Sequence, residues 1–133
     1  MGCVVGVPCS RMVTPEWAIA LAVQPWPINM QVCYVPIRGK KIDEARTYIV
    51  KGAQNLNAPY VAMVDDDVEI PFGTWQRLID TIKQADEKVM VVAGIYPSRR
   101  NPPDPIVYQV NGHGAFWKWK RGDIFEVNAV IGT

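Results

Sequence analysis

Asp65, Asp66 and Asp67 follow directly on the apolar run Tyr60-Val61-Ala62-Met63-Val64 and precede Val68-Glu69-Ile70-Pro71. Three consecutive carboxylates at the end of a run long enough for one buried strand ask for a cation. Hard oxygen ligands suit Mg²⁺ or Mn²⁺, and Mg²⁺ completes its octahedron with waters and substrate phosphates. In an open α/β sheet, ligands bind in the crevice beyond the carboxyl ends of the strands, where this cluster would project. Without a cation the like charges repel, and at least one pKa should rise. A solvated acidic turn is the alternative without a function.

Other residues could carry chemistry, each with a blander reading beside it. Glu126 is a carboxylate that could act as a general base, or an outward residue of a strand. His113, in Asn111-Gly112-His113-Gly114, could ligate a metal but reads more simply as a turn residue. Trp117 and Trp119 alternate with Lys118 and Lys120, which on a strand puts both indoles on one face for a sugar ring or a packing partner. Arg99 and Arg100 could contact phosphate from a loop rich in proline, and solvated arginines are the default there. Cys3, Cys9 and Cys33 show neither a Cys-x-x-Cys nor a Cys/His metal spacing, so they read as reduced thiols, two of them in apolar strand-like runs.

The elements that must position these groups alternate between strand and helix. Residues 3–7 form an apolar strand closed by Pro8. Thr14-Pro15-Glu16 is a helix start, with Thr14 as N-cap and Pro15 at the first helical position, and Trp17 opens the apolar stretch that Pro25 and Pro27 end. A second strand covers 30–35. Between 41 and 56, Ile42, Ala45, Ile49, Gly52, Ala53 and Leu56 fall at helical intervals, leaving Lys41, Glu44, Lys51 and Asn55 outside. After the acidic cluster, Pro71-Phe72-Gly73-Thr74 introduces a third helix with Trp75, Leu78, Ile79 and Ile82 on its apolar face. A fourth strand is expected over 88–95. The alternation predicts right-handed crossovers and a mainly parallel sheet. A proline-rich segment over 96–105 then breaks the pattern, and short strands are expected over 106–110, 115–120 and 124–130.

Composition bounds the function. A chain of 133 residues with 49% hydrophobic and 20% charged residues is expected to fold as one globular domain, a core over 1–96 followed by an extension over 97–133. A net charge of +1 argues against nucleic acid as the main partner. No stretch reaches the roughly 18 apolar residues of a membrane span, and a cytoplasmic protein is expected.

The order of elements, the segment Arg38-Gly39-Lys40-Lys41-Ile42-Asp43-Glu44-Ala45-Arg46, the Val-Asp-Asp-Asp-Val-Glu-Ile-Pro motif and the following Thr74-Trp75 helix resemble the nucleotide-sugar-binding half of GT-A glycosyltransferases. Inverting, family-two-like enzymes are the nearest in pattern, and Ala93-Gly94-Ile95-Tyr96-Pro97 and Val130-Ile131-Gly132-Thr133 also look like that family. The resemblance implies a three-layer α/β fold of GT-A (Rossmann-like) type with a β-rich C-terminal extension. It implies Mn²⁺ or Mg²⁺ on Asp67, and on Asp65 directly or through water, bridging the diphosphate of a nucleoside-diphosphate sugar. Asp66 would lie near the ribose or donor sugar, Arg46 would pair with the acidic cluster or the donor, and Pro8, Ser10 and Arg38 would line the nucleotide from the loops after the first two strands. The implied activity is metal-dependent transfer of the sugar to a hydroxyl acceptor. Thr47 stands where the family often has Asn, and the acidic motif that carries the family's base lies further downstream than Thr133, which leaves Glu126 as the stand-in.

Two other classes compete. A haloacid-dehalogenase-type phosphotransferase also ends a strand on Asp-x-Asp but needs Ser or Thr soon after it, which Val68-Glu69-Ile70-Pro71 does not supply. A non-catalytic nucleotide- or metal-binding module, or assembly subunit, would keep only the donor-binding half. Apolar surface at Trp117, Trp119 and Phe125 would then favour a homo-oligomer.

Overall fold

The computed structural model describes residues 2–10, 12–98, 100–109 and 112–127. The chain divides into two compact units, Met1–Lys83 and Gln84–Thr133. Arg99 and the 130–133 segment, both singled out in the sequence, lie outside the described residues.

The first unit is built on three parallel strands in the order β2-β1-β3, with β1 at Cys3–Cys9, β2 at Val32–Arg38 and β3 at Tyr60–Met63. Helix α1 (Pro15–Ala22) joins the first two strands, α2 (Ile42–Asn55) the second and third, and α3 (Thr74–Gln84) follows the acidic cluster. The central strand is buried on both faces, as an inner strand of a parallel sheet requires, which explains its unbroken apolar run. Alternation along β1 separates two cores. Cys3, Val5 and Val7 pack with Trp17 of α1 and Trp75 of α3 on one face. Val4 packs with Ile49 and Ala53 of α2 on the other. Helices therefore cover both faces of the sheet.

Local sequence accounts for the helices. Thr14 caps α1 by accepting a hydrogen bond from the Trp17 amide at 3.2 Å, with Pro15 at the start of the helix. Helix α2 buries Ala45, Ile49 and Ala53, one residue per turn, and carries Asp43 and Glu44 in its first turn, where the helix dipole favours anions. On β1, Gly6 leaves room for Ile49, so α2 lies directly against the strand backbone.

Strand bounds differ from the expectation at prolines. Pro36 lies inside β2 rather than beyond it, because β2 pairs only with β1 and an edge strand tolerates a missing N–H on its open side. Pro8 lies inside β1 for a related reason. The β1–β2 ladder runs on to the Cys9–Arg38 pair, but the β1–β3 ladder ends at Gly6–Met63, extended by a bond from the Val64 amide to the Gly6 carbonyl. Beyond Gly6, β1 has no strand partner on the β3 side among the described residues.

The second unit lacks the expected β-rich extension among its described residues. Residues 88–95 form no strand, and Met90 and Val91 are 81% and 73% exposed. An apolar run shows that a segment could be buried in a sheet but not that a neighbouring strand pairs with it. Over 106–109 and 112–127 no strand forms either; Gly112, Gly114 and Gly122 take positive φ and interrupt any extended run. What organises the unit is an isolated antiparallel bridge between Pro97 and Pro105, bonds from the Ser98 amide to the Asp104 carbonyl and from the Ile106 amide to the Tyr96 carbonyl, and buried Val107. The tryptophans do not alternate along a strand, since the Trp119 amide donates back to the Trp117 carbonyl in a tight turn. Phe125 packs edge-to-face on Phe116 and is half-buried rather than a free contact. No helix among the described residues is long and apolar enough to cross a membrane.

Candidate functional site

The strand order creates one distinctive place. From β1 the chain moves to β2 on one side through α1, then returns past β1 to β3 through α2 on the opposite face, so β1 and β3 flank the point where the winding direction reverses. Ligands of open α/β sheets bind outside the carboxyl ends of the strands at such a switch point. Here the β1–β3 ladder stops at Gly6–Met63, with one further bond from the Val64 amide to the Gly6 carbonyl.

The residues that follow both strands meet just beyond this ladder. The Ser10 amide donates to Asp66 Oδ2 at 2.7 Å, and the Ser10 hydroxyl lies 3.0 Å from the same oxygen. Behind it, Arg46 Nη2 contacts both oxygens of Asp65, at 3.1 and 3.2 Å, a partly buried ion pair. Arg46 is placed by α2, since it directly follows buried Ala45 and lies one turn before Ile49. Its Nε is buried without a hydrogen-bond partner among the described residues, so the fold leaves part of the guanidinium unused. The Trp17 indole N–H donates to the Asp65 carbonyl at 3.1 Å and ties the acidic loop to α1.

Cys9 and Arg38 form the last register pair of β1 and β2. Burial raises the Cys9 thiol pKa, the Asp66 charge raises it further, and Arg38 opposes them. Cys9 is therefore held as the neutral thiol between an anion and a cation, which does not make a nucleophile. Pro8 is buried in the strand and shapes its end rather than presenting a polar group.

Of the residues named from sequence, Pro8, Ser10, Arg38, Arg46, Asp65 and Asp66 gather at the carboxyl ends of the strands, with exposed Asp67 next in the chain. Glu126 is an exposed residue of the second unit. Two open hollows flank α2, lined by residues such as Lys40, Tyr48, Val50 and Lys51. Arg46 of the strand-end group lines one of the two, beside Thr47, Val50, Lys51 and Gln54.

One residue of this region escaped the sequence reading. Gln24 is buried just after α1, and its amide nitrogen reaches the Ala20, Ile70 and Pro71 carbonyls at 2.8, 3.4 and 3.0 Å, while its Oε1 accepts from the Thr74 amide at 3.0 Å. It fastens the chain leaving the acidic cluster and satisfies a donor at the start of α3. A single glutamine between Val23 and Pro25 carries no pattern that would reveal this.

Among the described residues no three His, Cys, Asp or Glu side chains converge as a metal cage. A hard cation held by one or two carboxylates, waters and substrate phosphates needs no such cage. The donor chemistry of Asp65 and Asp67 fits that mode and not an all-protein site. No family model, curated protein or solved structure is detectably similar to this chain.

Proposed function

We propose that the chain binds a nucleoside-diphosphate sugar beyond the carboxyl ends of β1 and β3 and transfers the sugar to a hydroxyl acceptor, as a metal-dependent glycosyltransferase of GT-A type. The observation that carries this reading is the meeting of the acidic loop with Ser10 and Arg46 at the switch point of a parallel sheet. Asp67 would hold Mg²⁺ or Mn²⁺ directly and Asp65 through water, and the ion would neutralise the charge that develops on the departing diphosphate. Arg46 fixes the Asp65 carboxylate, and Asp66 holds the loop after β1 through Ser10. Arg38 adds a cation on the β2 side, where an anionic donor would pass. The acceptor hydroxyl must lose its proton during attack, so a carboxylate base is needed.

Calorimetry with nucleoside diphosphates in the presence and absence of Mn²⁺ tests the reading. Asp67→Asn and Asp65→Asn should each weaken metal-dependent nucleotide binding at least about tenfold, the scale on which metal sites respond to loss of an orienting or ligating group. Circular dichroism should remain that of the parent. Metal-dependent affinity unchanged in both variants would contradict the assignment.

A further inference from the structure

The second unit carries an exposed loop in which tryptophans and basic residues alternate. All eight residues from 117 to 124, Trp-Lys-Trp-Lys-Arg-Gly-Asp-Ile, are exposed, and the loop is closed at its base by the edge-to-face contact of Phe116 with Phe125, 5.2 Å between ring centres. Its own hydrogen bonds shape it. The Asp123 amide donates to the Lys120 carbonyl, the Asp123 carboxylate accepts from the Lys120 amide at 2.9 Å, and Gly122 supplies the positive φ of the turn. The Trp119 indole N–H donates to the Phe116 carbonyl at 3.1 Å. The one anion of the loop thus serves its backbone, while Lys118, Lys120 and Arg121 supply three cations. The loop's apolar side chains are Ile124, Trp117 and Trp119, exposed to 78%, 60% and 37%.

We propose that this loop docks the protein on an anionic lipid bilayer, with Trp117, Trp119 and Ile124 in the headgroup region and Lys118, Lys120 and Arg121 on the lipid phosphates and carboxylates. Indoles favour the bilayer interface, where an apolar ring and a polar N–H are both accommodated, and long basic side chains reach headgroups while their stems lie along apolar surface. Charge complementarity selects this occupant. A two-fold contact between two copies through the same patch would set the three cations against their own images. A nucleic acid strand would use the indoles for stacking but offers nothing to Ile124, the most exposed of the three apolar side chains.

Vesicle co-sedimentation of the full chain tests the proposal, with phosphatidylcholine vesicles compared against phosphatidylcholine–phosphatidylserine vesicles at physiological salt. Binding should require phosphatidylserine and be accompanied by a blue shift of tryptophan emission. Each basic residue near such a surface contributes roughly fivefold in partition, so Lys118→Gln/Lys120→Gln/Arg121→Gln should lose about a hundredfold. Trp117→Ala/Ile124→Ala should lose binding while keeping the parent's thermal unfolding, since these two side chains are 60% and 78% exposed. Failure of the parent to bind either vesicle overturns the proposal, as does unchanged binding by both variants. Loop-dependent binding of a single-stranded RNA oligonucleotide, or loop-dependent dimers in light scattering, with no vesicle binding, also overturns it and assigns the loop to that partner.

Discussion

Gln24→Met is expected to lower the unfolding free energy by about 1–3 kcal/mol, the cost of removing hydrogen bonds to partly buried backbone groups that an apolar side chain cannot serve. The Gln24 side chain donates to the Ile70 and Pro71 carbonyls and accepts from the Thr74 amide, while the Pro71 carbonyl also accepts from the Thr74 amide and hydroxyl at 3.2 and 2.7 Å. Methionine keeps the length and volume of glutamine, so the change isolates the hydrogen bonds from packing. Urea unfolding gives the readout, as a lower midpoint with an unchanged slope. Nucleotide affinity should fall with it, because the segment from Asp65 to Thr74 would lose its anchor to α1. A midpoint within error of the parent would show that the loop is held by its own turns.

Gly6→Ala is expected to cost about 1–3 kcal/mol, the usual penalty for forcing an extra carbon into a packed core. A Cβ at Gly6 would bring Cγ1, Cγ2 and Cδ1 of Ile49 all inside 3.0 Å, and Ile49 is fully buried with nowhere to retreat. Helix α2 must then move off the sheet, and Arg46, one turn away on that helix, moves with it. The double variant Gly6→Ala/Ile49→Val should recover part of the loss, since the smaller side chain makes room, and the two changes should couple by more than about 0.5 kcal/mol as contacting residues do. Strictly additive changes in thermal or urea unfolding would mean that the close approach is relieved elsewhere.

Much of the first unit was legible because its elements obey local rules. Thr14-Pro15 marks the start of α1, and Ala45, Ile49 and Ala53 mark the buried face of α2. The acidic cluster stood out at a strand end, and its expected link to Arg46 is the ion pair with Asp65. What was not legible depends on partners distant in sequence. Ser10 and Asp66 are brought together by strand order, which no local pattern encodes. Pro36 is compatible with a strand only because β2 is an edge, and edges are set by topology. The run over 88–95 has strand-like composition, yet a strand exists only where a neighbour completes its hydrogen bonds. The loop over 117–124 shows the same limit: alternation of Trp and Lys suggests a strand face, while a bond from the Trp119 amide to the Trp117 carbonyl turns the chain instead.

The central claim is that metal and diphosphate meet at the acidic loop beyond β1 and β3. Paramagnetic broadening by Mn²⁺ in amide-resolved NMR spectra, with uridine and guanosine diphosphates added in turn, tests it directly. Substoichiometric Mn²⁺ with a bound nucleotide should erase the amide signals of Ser10, Asp65, Asp66 and Asp67 first, and leave those of Gln54 and Asn55 at the far end of α2 sharp. Strongest broadening at another acidic pair, such as Asp43 and Glu44 or Asp86 and Glu87, or no effect of either nucleotide on the broadening, would contradict the account.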